Sequence, residues 1–405
     1  MLLPYCPRLD AAHGGKTVAE LILRLGKRHR LSVLHLRRPG EEPVDEEIRR
    51  RCEAVEDVLL PPPRALGQRM ARSWGLMQAV AGVGRPLQLT DFASDELGRR
   101  LLDLVQRWRP DVVHVELEAM AHYLPLLHDL PPRRLLVLVE PAAQTAEEVY
   151  AASSGLERFV RLLDRRAWRA LERRLAGEAD GVVVLTERDR RYAAVVAGPA
   201  QIFTIPLGVA MPDRPLDPVG ATPPSVVFVG GFGHAPNVEA AMRLATRIFP
   251  RILARQPATF LYLVGDKPPG RLRALAGENL VVTGRVPEVN EYLDRAAVVV
   301  APLDVGGGMR LKVLETLAAG KALVATARAL EGIAVEDGMH VLVAEGDASF
   351  ADSVLKLLEN PEERARMGRA ARAWSEQHLS ADASAAAYER VYDELLARPA
   401  RGRSA

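Results

Sequence analysis

Between Thr17 and Lys27 the apolar positions Val18, Leu21, Ile22 and Leu25 recur at the spacing of one helix face, and residues 31–36 then read as a strand. The alternation continues with a helix over 97–108, a strand over 112–117, an apolar strand over 135–139, a long Arg-rich helix over 156–175 and a strand over 181–185. Such alternation implies a parallel sheet with helices on both faces. Residues 203–224 carry Pro206, Pro212, Pro215, Pro218, Pro223 and Pro224, which interrupt helix and strand alike and place a linker there. Beyond it the pattern restarts: strand 226–229, helix 238–254, strands 260–264 and 280–283, helix 289–295, strand 297–301, helix 309–319 and strand 322–325. The expected fold is therefore α/β, with two Rossmann-like, doubly wound parallel-sheet domains over 1–207 and 208–380. They are expected to face each other across a cleft at the carboxyl ends of their strands. A C-terminal helix and tail over 381–405 follow, placed to pack back on the first domain.

Composition agrees with two ordinary cores: 405 residues, 48% hydrophobic and 26% charged. Cys6 and Cys52 form no CxxC and no Cys/His cluster, so neither a disulfide framework nor a metal site is expected, and a reducing cytoplasm fits best. The first residues lack the pattern of a signal peptide, and no apolar run approaches the roughly 20 residues that cross a bilayer. Any membrane contact is then peripheral, on the inner face. A net charge of +2 argues against a nucleic-acid partner. The helix over 156–175 is the exception to this even balance. It carries Arg158, Arg161, Arg165, Arg166, Arg169, Arg173 and Arg174 beside Phe159 and Trp168, which suits either an anionic membrane surface or a solvated face over a core.

Candidate chemistry concentrates in residues 301–320. A buried strand runs into three consecutive glycines, Gly306, Gly307 and Gly308, which let backbone approach a ligand closely. A helix then begins, whose free N–H groups and positive dipole end attract anions, with Arg310 and Lys312 in or beside its first turn. This is the composition of a diphosphate cradle. Glu315 lies three residues after Lys312 on the same flank, where a carboxylate accepts hydrogen bonds from vicinal ribose hydroxyls. A plain surface helix pair explains Lys312 and Glu315 taken alone, but not with the glycines and Arg310 beside them.

With these residues in place, the C-terminal half resembles the retaining glycosyltransferases of family 4, the large GT-B-fold group 1 family. The matching stretches are Phe228-Val-Gly-Gly-Phe-Gly-His-Ala-Pro-Asn237, Leu263-Val-Gly-Asp266, Val282-Thr-Gly-Arg-Val286, the glycine loop with Lys312 and Glu315, and Thr326 before Leu330-Glu-Gly332. The N-terminal resemblance rests on the Gly14-Gly15 turn, Asp111-Val-Val-His114, 179–187 and Ile205-Pro-Leu-Gly-Val209. The resemblance implies a retaining, metal-independent transfer of a sugar from a nucleotide-diphosphate donor, UDP- or GDP-linked, to a carbohydrate or lipid-linked acceptor. It implies no cofactor beyond the nucleotide-sugar substrate. It assigns the acceptor to the first domain and the donor to the second. Gly14 and Gly15 are implied near the donor phosphates or acceptor, Arg285 and Val286 around the base, and Glu315 on the ribose. Gly231 and His234 lie in the donor loop, and Arg310 with Lys312 would neutralise the leaving diphosphate as catalytic groups.

The chain departs from that pattern at three places. Gly307 stands where the first glutamate of the family's Glu-x7-Glu signature belongs, the loop Gly231-Phe-Gly-His-Ala-Pro lacks the usual basic residue, and Glu140-Pro141 replaces a histidine. Other readings exist, among them a GT-B nucleotide-sugar epimerase that would bind its donor through the same Arg310, Lys312 and Glu315. Gly231-x-Gly233 after a strand suggests an NAD-dependent oxidoreductase, although Pro236 occupies the third glycine position and suits a helix's first turn. Gly307 and Glu140 would also suit a non-catalytic sugar-nucleotide-binding or partner protein. His234 and His13 are read as donor contacts or loop caps, and His114 and Trp374 as packing residues.

Overall fold

The computed structural model describes residues 1–10, 14–60, 92–139, 146–147, 150–151, 153, 155–196, 200–209, 211–304 and 311–398. The chain divides into two compact units, Met1–Pro206 with Ser384–Ala405, and Leu207–Ala383.

In the first unit the elements run β1 (Leu2–Leu3), α1 (Gly14–Leu25), β2 (Ser32–Arg37), α2 (Glu46–Arg51), β3 (Ala54–Leu59), α3 (Asp95–Trp108) and β4 (Val112–Glu116). A 3-10 segment over Glu118–Leu127 leads to β5 (Arg133–Leu138), α4 (Gly155–Ala176), β6 (Gly181–Val184), α5 (Glu187–Val196) and β7 (Gln201–Thr204). Seven strands form one sheet in the order β3-β2-β1-β4-β5-β6-β7, with every pairing parallel. Strand β5 shows why its apolar run is unbroken. Leu135 and Val137 pack on one face with Leu21 and Leu25 of α1, and Leu136 and Leu138 pack on the other with Leu101 of α3 and Trp168 of α4. A parallel sheet buried on both faces leaves no position for alternation.

The Arg-rich helix α4 is thus a core helix on one side, burying Ala167, Trp168 and Leu171. Glu147 binds two of its guanidiniums, Arg165 at 2.8 Å and Arg169 at 2.5 Å. Tyr150 stacks beneath Arg158 and Arg165. No helix among the described residues is long and apolar enough to cross a membrane.

The second unit runs β8 (Ser225–Val229), α6 (Ala235–Arg243), α7 (Phe249–Arg255), β9 (Phe260–Val264), α8 (Gly270–Arg273), β10 (Leu280–Gly284) and α9 (Asn290–Arg295). It continues with β11 (Val298–Ala301), α10 (Leu311–Ala318), β12 (Leu323–Ala325), β13 (Leu342–Val343), α11 (Asp347–Glu359) and α12 (Pro361–His378). Its parallel sheet has the order β10-β9-β8-β11-β12-β13. Both sheets therefore reverse direction beside their first strand, which makes each a Rossmann-like sheet with a topological switch point. The helix expected over 238–254 starts earlier and is not uniform. Pro236 takes its first turn, and a π turn at Leu244–Ile248 joins α6 to α7 just before Pro250, which has no N–H to continue the α-helical ladder.

The helix α13 (Ala381–Ala397) returns to the first unit, where Ala385, Tyr388, Val391 and Leu395 join the layer formed by α1 and β5. The half-buried Tyr392 bonds His114 at 2.7 Å, and the other nitrogen of the deeply buried His114 meets the equally buried Glu116 at 3.1 Å. His114 is a packing residue that fixes this helix to β4. Trp374 is half-buried against the second unit's core, stacked on His378.

The segment expected as a linker is not a free tether. Strand β7 already contains Phe203, Pro206 still belongs to the first unit, and the five prolines from Pro212 to Pro224 belong to the second. Three cations hold backbone carbonyls of this stretch: Arg372 reaches Pro212, Lys321 reaches Asp217, and Arg364 reaches Val219. Its remaining N–H groups add to this, Leu216 donating to Ala319 O at 2.9 Å and Ala221 to Arg295 O at 3.0 Å.

Burial pushes the Lys321 ammonium from 10.5 down to about 8, although Asp217 and Asp294 favour its charge. Below pH 8 both folded and unfolded chains keep the proton, and the burial cost is carried in full. Between about 8 and 10.5 the unfolded chain binds more protons, so this group makes stability rise with pH. Unfolding free energy should climb more steeply across that window in the parent chain than in Lys321→Met, and parallel slopes would contradict this assignment.

Candidate functional site

Ligands of open α/β sheets sit beyond the carboxyl ends of the strands at the switch point. In the second unit that point lies between β8 and β11, which pair directly through Val226 and Val227. The turn after β8 is Gly230-Gly231-Phe232-Gly233-His234. Its backbone is tied to the neighbouring turn, with Gly230 N–H donating to Val264 O at 2.9 Å and Phe232 N–H to Asp266 O at 3.0 Å. Gly265 permits this approach, because a Cβ there would collide with the Gly230 carbonyl. Phe228 and Phe232 anchor the turn from below, both buried. His234 caps α6 by position, is exposed, and makes no side-chain cap bond.

Across the switch point, Lys312 and Glu315 ride on α10. That helix is buried along two stripes: Val313 and Leu317 enter the main core, while Leu314 and Ala318 join a smaller cluster with Val209 and Leu379. Glu315 is left exposed and Lys312 half-buried. The Lys312 ammonium does not trail into solvent. It crosses to the β8–α6 turn, donates to Asn237 Oδ1 and lies 5.1 Å from the Phe228 ring centroid. Asn237 Nδ2 in turn donates to Gly231 O at 2.9 Å. A Cβ at Gly230 would stand 3.2 Å from Lys312 Nζ and 3.1 Å from Asn237 Cγ, contacts tight enough that the pair would have to shift by a few tenths of an ångström.

The approach to α10 is fixed by two buried groups. Arg243, at the end of α6, bonds Asp304 at 2.6 Å, Asp347 at 2.7 Å and the Pro302 carbonyl at 3.3 Å. Thr326 is wholly buried and donates to Leu303 O at 2.6 Å, which makes it a structural support for the β11 exit. Arg285 and Val286 follow β10, Arg285 exposed and Val286 half-buried against the core.

The structure thus brings Gly231 and Lys312 together, places Glu315 one turn beyond Lys312, and leaves Arg285 and Val286 two strands away at the end of β10. Gly14 and Gly15 open α1 of the first unit, Gly15 buried. Gly306, Gly307, Gly308 and Arg310, like His13 and Glu140, lie outside the described residues. Sequence reasoning gave no role to Asn237 or Arg243. An asparagine directly after a helix-opening proline was the available signal for the first. A cavity of about 350 Å3 in the first unit, lined by Arg28, Leu101, Trp108 and Tyr392 among others, lies at the amino ends of its strands. That is the edge opposite the one where such sheets bind ligands.

Residues 14–208 match the family model "Glycosyl transferase 4-like domain", and residues 223–360 match "Glycosyl transferases group 1". No curated protein matches the chain. Among solved structures, sucrose-phosphate synthase from Thermosynechococcus elongatus superposes with a TM-score of 0.68 at 17% identity, covering 98% of this chain and 99% of its own. WaaG, a glycosyltransferase involved in lipopolysaccharide biosynthesis, gives 0.63 at 15% identity over 98% and 100% of the two chains. HepE from Anabaena, solved in complex with UDP and glucose, gives 0.60 at 12% identity over 98% and 99%. At these identities the likeness establishes the fold.

Proposed function

Because this chain belongs to the group 1 glycosyltransferases and has their two-domain GT-B fold, we propose that it transfers a sugar, with retention of anomeric configuration, from a nucleotide-diphosphate donor held by the second unit. The observation that carries this reading is the Lys312 ammonium placed at the switch point, between the β8–α6 turn and α10. A diphosphate there meets a fixed cation and helix N-termini, as a leaving group that gains charge requires. Arg310 adds a second cation in the same role, and the glycines 306–308 let backbone N–H groups approach the phosphates. Glu315 takes the ribose hydroxyls, and Arg285 with Val286 borders the base. Gly231 and His234 contribute the turn that faces the phosphates.

In this chemistry the donor C1–O bond breaks while the sugar carbon becomes oxocarbenium-like. The acceptor hydroxyl forms the new C1–O bond on the same face and passes its proton to the departing diphosphate oxygen. No carboxylate nucleophile is needed, and protein cations take the part a metal plays elsewhere. A UDP- or GDP-sugar is the donor class, a choice supported by the UDP and glucose bound to HepE. The first unit, with Gly14 and Gly15 at the start of α1, receives a carbohydrate or lipid-linked acceptor. The exposed Phe159, with Arg166 two turns further along the same face of α4, favours the lipid-linked form and contact with an anionic membrane surface.

Transfer should continue undiminished in EDTA and give an α product from an α-linked donor. An inverted product, or activity that disappears with chelation, would refute this mechanism.

A further inference from the structure

The β8–α6 turn contains no lysine or arginine of its own, yet a cation reaches it. We infer that Asn237 is a positioning residue that delivers the Lys312 ammonium to this turn, so that one cation serves both loops of the switch point. The inference rests on the donor-binding reading above and identifies how its phosphate site is assembled.

The chemistry of the contact fixes the geometry. An ammonium has no acceptor, so the Asn237 atom facing Lys312 is Oδ1, and the amide nitrogen is left to donate to Gly231 O at 2.9 Å. Both ends of the amide are thus committed, one to α10 through Lys312 and the other to the glycine turn. The Phe228 ring beneath, 5.1 Å from the ammonium, supports the cation from its apolar side. The pair packs closely over Gly230, where a Cβ would lie within 3.2 Å of both partners.

That Asn237 is an amide and not a carboxylate is the decisive detail. An aspartate of nearly the same shape would hold Lys312 equally well and cancel the charge that a diphosphate needs. A neutral amide orients the ammonium and leaves its charge intact. Asn237→Asp is therefore expected to be worse for diphosphate binding than Asn237→Ala, the reverse of what side-chain size predicts.

The test titrates the full chain by calorimetry with whichever of UDP, GDP, ADP and dTDP binds most tightly, and with the matching nucleoside. The parent, Asn237→Asp, Asn237→Ala and Lys312→Met are compared, and each melting temperature is recorded to establish folding. Asn237→Asp should weaken the diphosphate by about 10- to 100-fold, the scale of one to two tenfold steps in affinity. Nucleoside affinity should stay within about twofold, and Asn237→Ala should fall between the parent and Asn237→Asp. The ratio of diphosphate to nucleoside affinity is the deciding quantity, because general loosening of the turn would lower both. Parent-like diphosphate binding in Asn237→Asp, alongside weak binding in Lys312→Met, would overturn the positioning role and leave the donor site standing. Parent-like binding in Lys312→Met would overturn both.

Discussion

Lys312→Ala should lower kcat by a factor of roughly 100 to 1,000, the scale for losing one preorganised charge-stabilising donor. Charge accumulates on the diphosphate as the glycosidic bond breaks, so a cation held by Asn237 and supported by Phe228 strengthens its interaction in the transition state. Glu315→Ala should behave differently. Glu315 is exposed and, in its proposed place on the ribose, makes a contact that scarcely changes during reaction, so its loss should raise donor KM with little effect on kcat. Steady-state kinetics with varied donor separates the two. Unchanged kcat in Lys312→Ala would remove it from the leaving-group role.

Trp168→Ala should destabilise the first unit by about 3–5 kcal/mol, as expected for emptying the site of a large buried aromatic. Trp168 is 2% exposed on α4, within the same cluster as Leu101, Met120 and Leu136. Denaturant unfolding followed by circular dichroism should show the loss in the transition that belongs to this unit. A change below about 1 kcal/mol would mean that α4 is not seated on the sheet in solution. Its cationic face would then need a different account.

The central strands and their helices were readable because both faces of each sheet are buried: Leu135–Leu138 of β5 and the valines of β11 are continuous apolar runs bounded by helical periods. Edge elements were not. Strand β3 has Glu56 and Asp57 in its middle and is half-exposed, so its pattern resembles a loop, and β1 and β13 have only two residues each. The prolines of 203–224 marked an interruption correctly but said nothing of the carbonyls that Lys321, Arg364 and Arg372 hold. At the site, the position of Lys312 in the first turn of its helix was legible from local spacing. Its partner was not, because Asn237 is 75 residues away and no periodicity relates a side chain on α10 to one on α6. Only the sheet order, which puts β8 beside β11, brings them together.

The central claim is that the second unit binds the donor diphosphate where Lys312 crosses to the glycine turn. A crystal structure of the full chain with the nucleoside diphosphate it prefers among UDP, GDP, ADP and dTDP tests this directly. The phosphates should lie within about 3 Å of Lys312 Nζ, beside Gly231 and the start of α10, with the ribose hydroxyls on Glu315. Phosphates bound away from both Lys312 and the Gly230–Gly233 turn would contradict it.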